Sequence, residues 1–378
     1  MGTYGYDIDF LKKHHVEILE LTSVDGLSRI AVAPNFQGRV MTSTINGYSG
    51  DSYGWINYKL ISSEIIDPKV NHVGGEDRFW LGPEGGVFSF YFKKNAEQNF
   101  ENWFVPKEID SERFEIFKSS SSSIVFTKNV VLFNASMYSF NIGIKRTISI
   151  LSKNDVEKML AVKLSPDLKF IAFQSENLIT NNGSDAWTRE TGLPSIWILG
   201  MFNPSPTTTV FIPYNENGKG VIVNTDYFED VTSKRMKMQN GIIFFKIDGN
   251  YRTKIGIPAP RAMTLCGSYD TEKNVLTLVW YNLPDNPEGY VNSRWGNQED
   301  PFDGDVVNSY NDGPVADGSV MGPFYEIETS SPGAALLPRQ SLKHIMMVAH
   351  VHGDKKQLDE LVQKLFSTNL NQIAEMFA

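Results

Sequence analysis

Cysteine is almost absent from this 378-residue chain: Cys266 stands alone, which excludes an intrachain disulfide and a multi-cysteine metal site. It sits in the apolar run Ala262 to Cys266, the setting of a small buried hydrophobe. Histidine is also scarce, with six in all and none between His72 and His344. No run approaches the ~20 apolar residues of a membrane-spanning helix. Met1 to Tyr6 lacks the basic and apolar regions of a signal peptide, so the expectation is a soluble protein, either cytoplasmic or exported with its leader removed. Positive charge does not dominate either: 35 Lys and Arg face 44 Asp and Glu, a net charge of −9. That argues against nucleic-acid or anionic-membrane partners, which need a basic footprint. The glycine-rich dinucleotide and phosphate loops, the Gly-Xaa-Ser-Xaa-Gly elbow and the His-Glu-Xaa-Xaa-His zinc helix are all missing. There is no repeat of 20–50 residues and no long linker.

What the chain has in quantity is aromatic side chains (24 Phe, 15 Tyr, 7 Trp) punctuated by 30 Gly and 18 Pro. That balance favours β structure. Short apolar runs bounded by turn residues, such as Ser123 to Thr127, Ile196 to Leu199, Thr209 to Pro213, Ile242 to Lys246 and Val275 to Tyr281, read as strands. Arg39 to Thr44 alternates in period two and reads as half-buried. Helical spacing is clear only at the ends: about 7–15, with Ile8 and Leu11 on one face, and about 355–377. There a second short helix would be capped by Ser367 or Thr368. The serine tract 119–123 reads as an exposed turn. The expected fold is all-β, one large antiparallel domain over 1–378 with short terminal helices.

Polar, aromatic and glycine residues crowd into four segments. Asn71 to Gly86 holds five glycines, with His72, Glu76, Arg78 and Trp80, and reads as a shaped loop. Either it faces a ligand, or His72 and Trp80 pin it while Glu76 and Arg78 pair internally. Ser175 to Trp187 contains the turn signal Asn181-Asn-Gly183, which reads as a hairpin tip flanked by Asn177 and Trp187. Asn182-Gly-Ser184 within it is a glycosylation sequon of low specificity. Tyr290 to Pro314 reads as a long polar loop presenting Arg294, Trp295, Asp305 and Asn308 to a cleft. Its Asp300, Asp303, Asp305 and Asp312 do not follow calcium-loop spacing. In Phe324 to Pro332, Glu326 and Glu328 are two apart and share one strand face. Mutual repulsion there raises at least one pKa if they are buried, which suits general acid/base work. His350 and His352 could begin a zinc site but have no evident third ligand, so no metal is assigned.

His72-Val-Gly-Gly75 is similar to the His-Gly-Gly segment of the galactose mutarotase-like (aldose 1-epimerase) superfamily. Tyr325 to Pro332, followed by Leu336-Leu-Pro338 and Ser341 to His344, resembles that superfamily's closing strand pattern. The segment Gly74 to Gly86 together with Ser309 to Pro314 resembles an uncharacterised bacterial branch of it. The resemblance covers nearly the whole chain and implies a β-supersandwich whose concave face binds a mono- or oligosaccharide. It implies Glu326 or Glu328 as catalytic base and His72 as a substrate-contacting, catalytic histidine, without a cofactor. Glu76, Arg78, Trp80, Asn177, Trp187, Arg294, Trp295, Asp305 and Asn308 would contact the sugar. The superfamily's mid-chain histidine acid is missing, as is its Gly-Arg-Xaa-Xaa-Asn-Arg motif, since no arginine falls between Arg39 and Arg78. The acid role would then fall to His72, Glu76 or Asp305. The alternative is a non-catalytic carbohydrate-binding module associated with polysaccharide utilisation. Acidic residues concentrate in the same segments, at Glu76, Glu84, Asp303, Asp305, Glu326 and Glu328.

Overall fold

The period-two runs become strands of three antiparallel sheets in a computed structural model that describes residues 2–377, apart from 229, 286, 288, 316 and 317. The largest sheet has ten strands, in the order Met236–Gln239, Ile242–Lys246, Thr208–Pro213, Leu265–Asp270, Val275–Tyr281, Ser341–His352, Lys169–Asn181, Ser139–Ile150, Ser123–Phe133 and Glu115–Ser119. A five-stranded sheet runs Thr253–Pro258, Asp305–Asn311, Tyr325–Ser330, Ser195–Phe202 and Arg78–Gly82. Leu19–Thr22, Arg29–Ala33 and Arg39–Thr44 form the third.

Side-chain alternation decides how these layers stack. Along Ser123–Phe133 the residues Ile124, Phe126, Val130 and Leu132 are buried while their neighbours are not. Ile124, Phe173, Ile179, Cys266 and Val348 of the ten-stranded sheet share one core with Ile196, Ile198, Ile255, Val307 and Ile327 of the five-stranded sheet. The opposite face of the large sheet, with Ala172, Phe211, Leu276 and Met347, is covered by helices. Leu358, Leu361 and Val362 from Lys355–Leu365, and Leu370 and Ile373 from Leu370–Glu375, supply that cover, each worth roughly 1.5–3 kcal/mol of transfer free energy. The five-stranded sheet therefore has one face in the core and one turned away from the large sheet.

Several expectations change in detail. The first helix is Tyr4–Lys13, shifted toward the N-terminus because the Thr3 side chain accepts from Tyr6 N; Ile8 and Leu11 are buried as expected. The last helix is capped by Asn369 rather than Ser367 or Thr368, and the Thr368 hydroxyl donates to the Gln372 side chain instead. Lys153–Leu160 forms an internal helix with a Ser152/Asp155 capping box that apolar spacing did not signal. Arg39–Thr44 is buried on both faces, because its polar Thr42, Ser43 and Thr44 also lie inside. The Asn181 turn is no hairpin tip: Lys169–Asn181 pairs with Ser139–Ile150 and Ser341–His352, and the chain then crosses to the other sheet. Two segments expected as loops contain strands, Arg78–Gly82 and Asp305–Asn311. Glycines confine their effect to the approach: Gly74 has φ +98°, and a Cβ there would lie 2.0 Å from the Trp55 carbonyl.

Candidate functional site

Register places a band of polar and aromatic groups on the outward face of the five-stranded sheet. Directly opposed residues of antiparallel strands share a face. One row runs Lys254, Tyr310, Glu326, Met201, and the next runs Gly256, Asn308, Glu328, Leu199, Arg78. Trp80 opposes Trp197 in a third row that ends at Ser330. A bulge at Ile257/Pro258 brings Asp305 next to this band. Gly256 makes room for it, since a Cβ there would lie 2.0 Å from Asp305 Oδ2.

Two buried ion pairs dominate the band. Arg78 Nη2 lies 3.0 Å from Glu326 Oε1, and Lys254 Nζ lies 2.8 Å from Glu328 Oε2. Glu328 also accepts from Trp197 Nε1 at 2.9 Å and is 0% exposed, whereas Glu326 is 6% exposed and lines a recess above the sheet. Arg78 stacks on the Trp80 ring at 3.9 Å and donates to His72 Nδ1 at 3.3 Å, so the His72 ring proton resides on Nε2. Burial, reinforced by Arg78, Arg39 and Arg252, pushes the His72 pKa down to about 3. His72 is therefore neutral at physiological pH.

The carboxyls move the other way. Burial raises the pKa of Glu326, with Glu328 adding to the rise against the pull of Arg78 and Lys254. Burial also lifts Glu84 to about 7; Lys254 opposes the rise and Glu328 adds to it. Lys254 keeps a raised pKa because Glu328, Glu84 and Glu326 together outweigh its desolvation. Asp305 is raised by burial, while hydrogen bonds from Tyr227 and Asn224 hold it back.

Above the band opens a cleft of about 920 Å³. It continues into a recess of about 80 Å³ lined by His72, Arg78, Trp80, Glu84, Lys254 and Glu326 among others. A smaller pocket beside it is lined by Glu84, Trp197, Lys254, Asp305 and Asn308. One wall is aromatic: Trp103 stacks on Tyr91 at 6.2 Å, meets Trp295 at 6.1 Å, and lies 6.3 Å from Trp80, which stands edge-on to Trp197 at 5.5 Å. The other wall carries Tyr227, Phe228 and Arg252, the last fixed by Tyr310, whose hydroxyl donates to Asp312 at 2.7 Å. Among the described residues, no three His, Cys, Asp or Glu side chains converge as a metal cluster.

The structure brings His72, Arg78, Trp80, Trp295 and Glu326 to the recess, and Asp305 and Asn308 to the pocket beside it. Arg294 stands at the cleft mouth, paired with Asp226 at 2.6 Å. Glu328 lies beneath, holding Lys254. Three expected residues lie elsewhere. Glu76 does not pair with Arg78; it bonds His350 Nε2 at 2.7 Å and Ser43. His350, in turn, is a buried group of that network. Asn177 accepts from Arg146 at 2.7 Å inside the core, and Trp187 packs edge-on to Phe140 at 5.6 Å. Sequence reasoning singled out neither Lys254 nor Arg252, Trp103 or Tyr227, and took Glu84 only as part of an acidic segment. Lys254 carried a usable signal: a lone charge inside the apolar strand Thr253–Pro258.

Solved structures share this architecture. The Slr1438 protein from Synechocystis sp. PCC 6803 superimposes with a TM-score of 0.53 at 12% identity, over 89% of this chain and 96% of that one. A candidate aldose 1-epimerase from Escherichia coli K12 superimposes with a TM-score of 0.50 at 11% identity, over 89% of this chain and 99% of that one. At such identity the likeness establishes the fold, which is galactose mutarotase-like. No curated protein sequence matches the chain. A family model does match, over residues 2–377, and the chain belongs to that family, described as a family of unknown function (DUF6786).

Proposed function

We propose that the cleft binds a carbohydrate and interconverts its anomers by proton transfer between carboxyl groups. The observation that carries this reading is the convergence of Glu84 and Glu326 on one recess, each with its pKa raised from the ordinary carboxyl range. Groups that titrate near the working pH are efficient proton donors and acceptors. Indole rings beside them suit the apolar C–H faces of a sugar, and buried polar groups suit its hydroxyls.

In this reading one carboxylate takes the proton from the anomeric hydroxyl while the other carboxyl protonates the ring oxygen. The bond from the anomeric carbon to the ring oxygen breaks, leaving an open-chain aldehyde. Rotation about the adjacent carbon–carbon bond presents the other carbonyl face, and the same groups reverse roles as the ring closes. Arg78 positions Glu326. His72, without a transferable charge-carrying proton at neutral pH, serves as a hydrogen-bonding group rather than as the acid. The structural relative described as a candidate aldose 1-epimerase supports the same reaction class.

A second reading, sugar binding without chemistry, rests on the two ion pairs at 3.0 and 2.8 Å, which hold Glu326 and Glu328 as hydrogen-bond acceptors. Exchange NMR on reducing sugars separates the two. Accelerated anomer exchange for a sugar that binds supports catalysis; binding at the uncatalysed exchange rate leaves the binding-only reading.

A further inference from the structure

The dimensions of the cleft, taken with the carbohydrate reading on which this inference rests, specify the ligand further. A volume of about 920 Å³ lies toward the top of the ~300–1,000 Å³ span of pockets that enclose drug-sized ligands. A single pyranose in the recess leaves most of that space empty. Two aromatic side chains stand at the junction of recess and cleft, lining both: Phe100, 57% exposed, and Phe228, 42% exposed. Such exposure costs solvation, yet both rings are held in place. Phe100 stacks on Trp103 at 6.0 Å with Lys69 over it at 4.7 Å, and Arg252 covers Phe228 at 3.9 Å. Rings fixed at an opening, outside the groups that would handle the first sugar unit, are placed to stack on the units that follow. At the mouth Arg294 pairs with the exposed Asp226 and Arg189 with the exposed Asp300, which leaves the exposed Glu299 and Asp303 as an acidic excess there. The cations Arg252 and Lys254 line the cleft too, and Lys254 is held by Glu328; the excess at the mouth disfavours entry of anionic sugars.

We propose that the ligand is an uncharged oligosaccharide whose end unit enters the recess while at least one further unit rests between Phe100 and Phe228 in the cleft. The test is calorimetric titration with glucose, galactose and mannose, their α-1,4- and β-1,4-linked di- and trisaccharides, and trigalacturonate. The best neutral trisaccharide is expected to bind at least about tenfold tighter than its monosaccharide, with Phe100→Ala and Phe228→Ala each shrinking that ratio about fivefold. Neither ring belongs to the buried core, so truncation leaves the core intact. Trigalacturonate is expected to bind at least about tenfold more weakly than the neutral trisaccharide. Equal affinity for monosaccharide and trisaccharide, or tighter binding of trigalacturonate, overturns this inference while leaving the carbohydrate reading in place. Silence toward every sugar overturns both.

Discussion

Arg78 stands in register with Glu328 across the intervening strand, yet its guanidinium pairs with Glu326; Lys254, in register with Glu326, pairs instead with Glu328. The two ion pairs cross. Each carboxylate is held by the cation that stands in the other's row, a diagonal contact within reach of long side chains on a twisted sheet. The cations thus leave Glu326 lining the recess and keep Glu328 beneath it.

Breaking one arm of this cross leaves a buried carboxyl without its cation. Arg78→Met is expected to cost about 1–3 kcal/mol in urea denaturation at pH 7, because Glu326, its pKa already raised by burial, loses a hydrogen-bond partner and takes up a proton. Combining it with Glu326→Gln is expected to cost less than the sum of the single changes, by at least about 1 kcal/mol. Additive losses would mean that the pair is not coupled.

Glu84 makes stability depend on pH. Its carboxyl titrates near 7 in the folded chain, against 4.5 for an unperturbed glutamate, so the native state binds more protons over that interval. Its contribution to stability is fully present below about pH 4.5 and is lost as pH rises through about 7. Glu84→Gln, which mimics the protonated form, is expected to raise Tm by about 2–4 °C at pH 8 relative to the wild type, with the advantage gone at pH 4.5. An equal Tm difference at both pH values contradicts the assigned shift.

Burial and three guanidinium groups hold His72 neutral, so its ring resonances are expected to stay constant from pH 8 to pH 5 in NMR spectra assigned with His72→Asn. A midpoint near 6.5 would restore His72 as a candidate acid.

Glu326 and Glu328 were legible from the sequence because strand period two fixes which residues share a face. The fold class was legible for the same reason, through runs such as Val275–Tyr281. Arg78–Gly82 was hidden by the glycines around it, which shape the approach and exit and leave the strand between them intact. Asn177 was misplaced because local sequence cannot report that its strand belongs to the ten-stranded sheet, and Trp187 because it lies in the crossing segment after that strand and packs on Phe140 of the same sheet. Lys254 and Arg252 escaped notice because only sheet order, a long-range property, brings them to the acidic strand at Tyr325–Ser330. The missing mid-chain histidine left the acid role open, and the geometry directs attention to Glu84, whose raised pKa comes from burial that composition does not reveal.

The central claim is proton transfer between Glu84 and Glu326 on a bound sugar. Its most direct test is two-dimensional exchange NMR of anomer interconversion, at pH 7, on the sugar that binds most tightly. The account predicts exchange well above the buffer rate with the wild type, reduced at least about a hundredfold by Glu326→Gln and by Glu84→Gln, the order of loss for a general acid or base, while binding persists. Wild-type exchange at the buffer rate for a sugar that demonstrably occupies the cleft, or full activity in both variants, would contradict it.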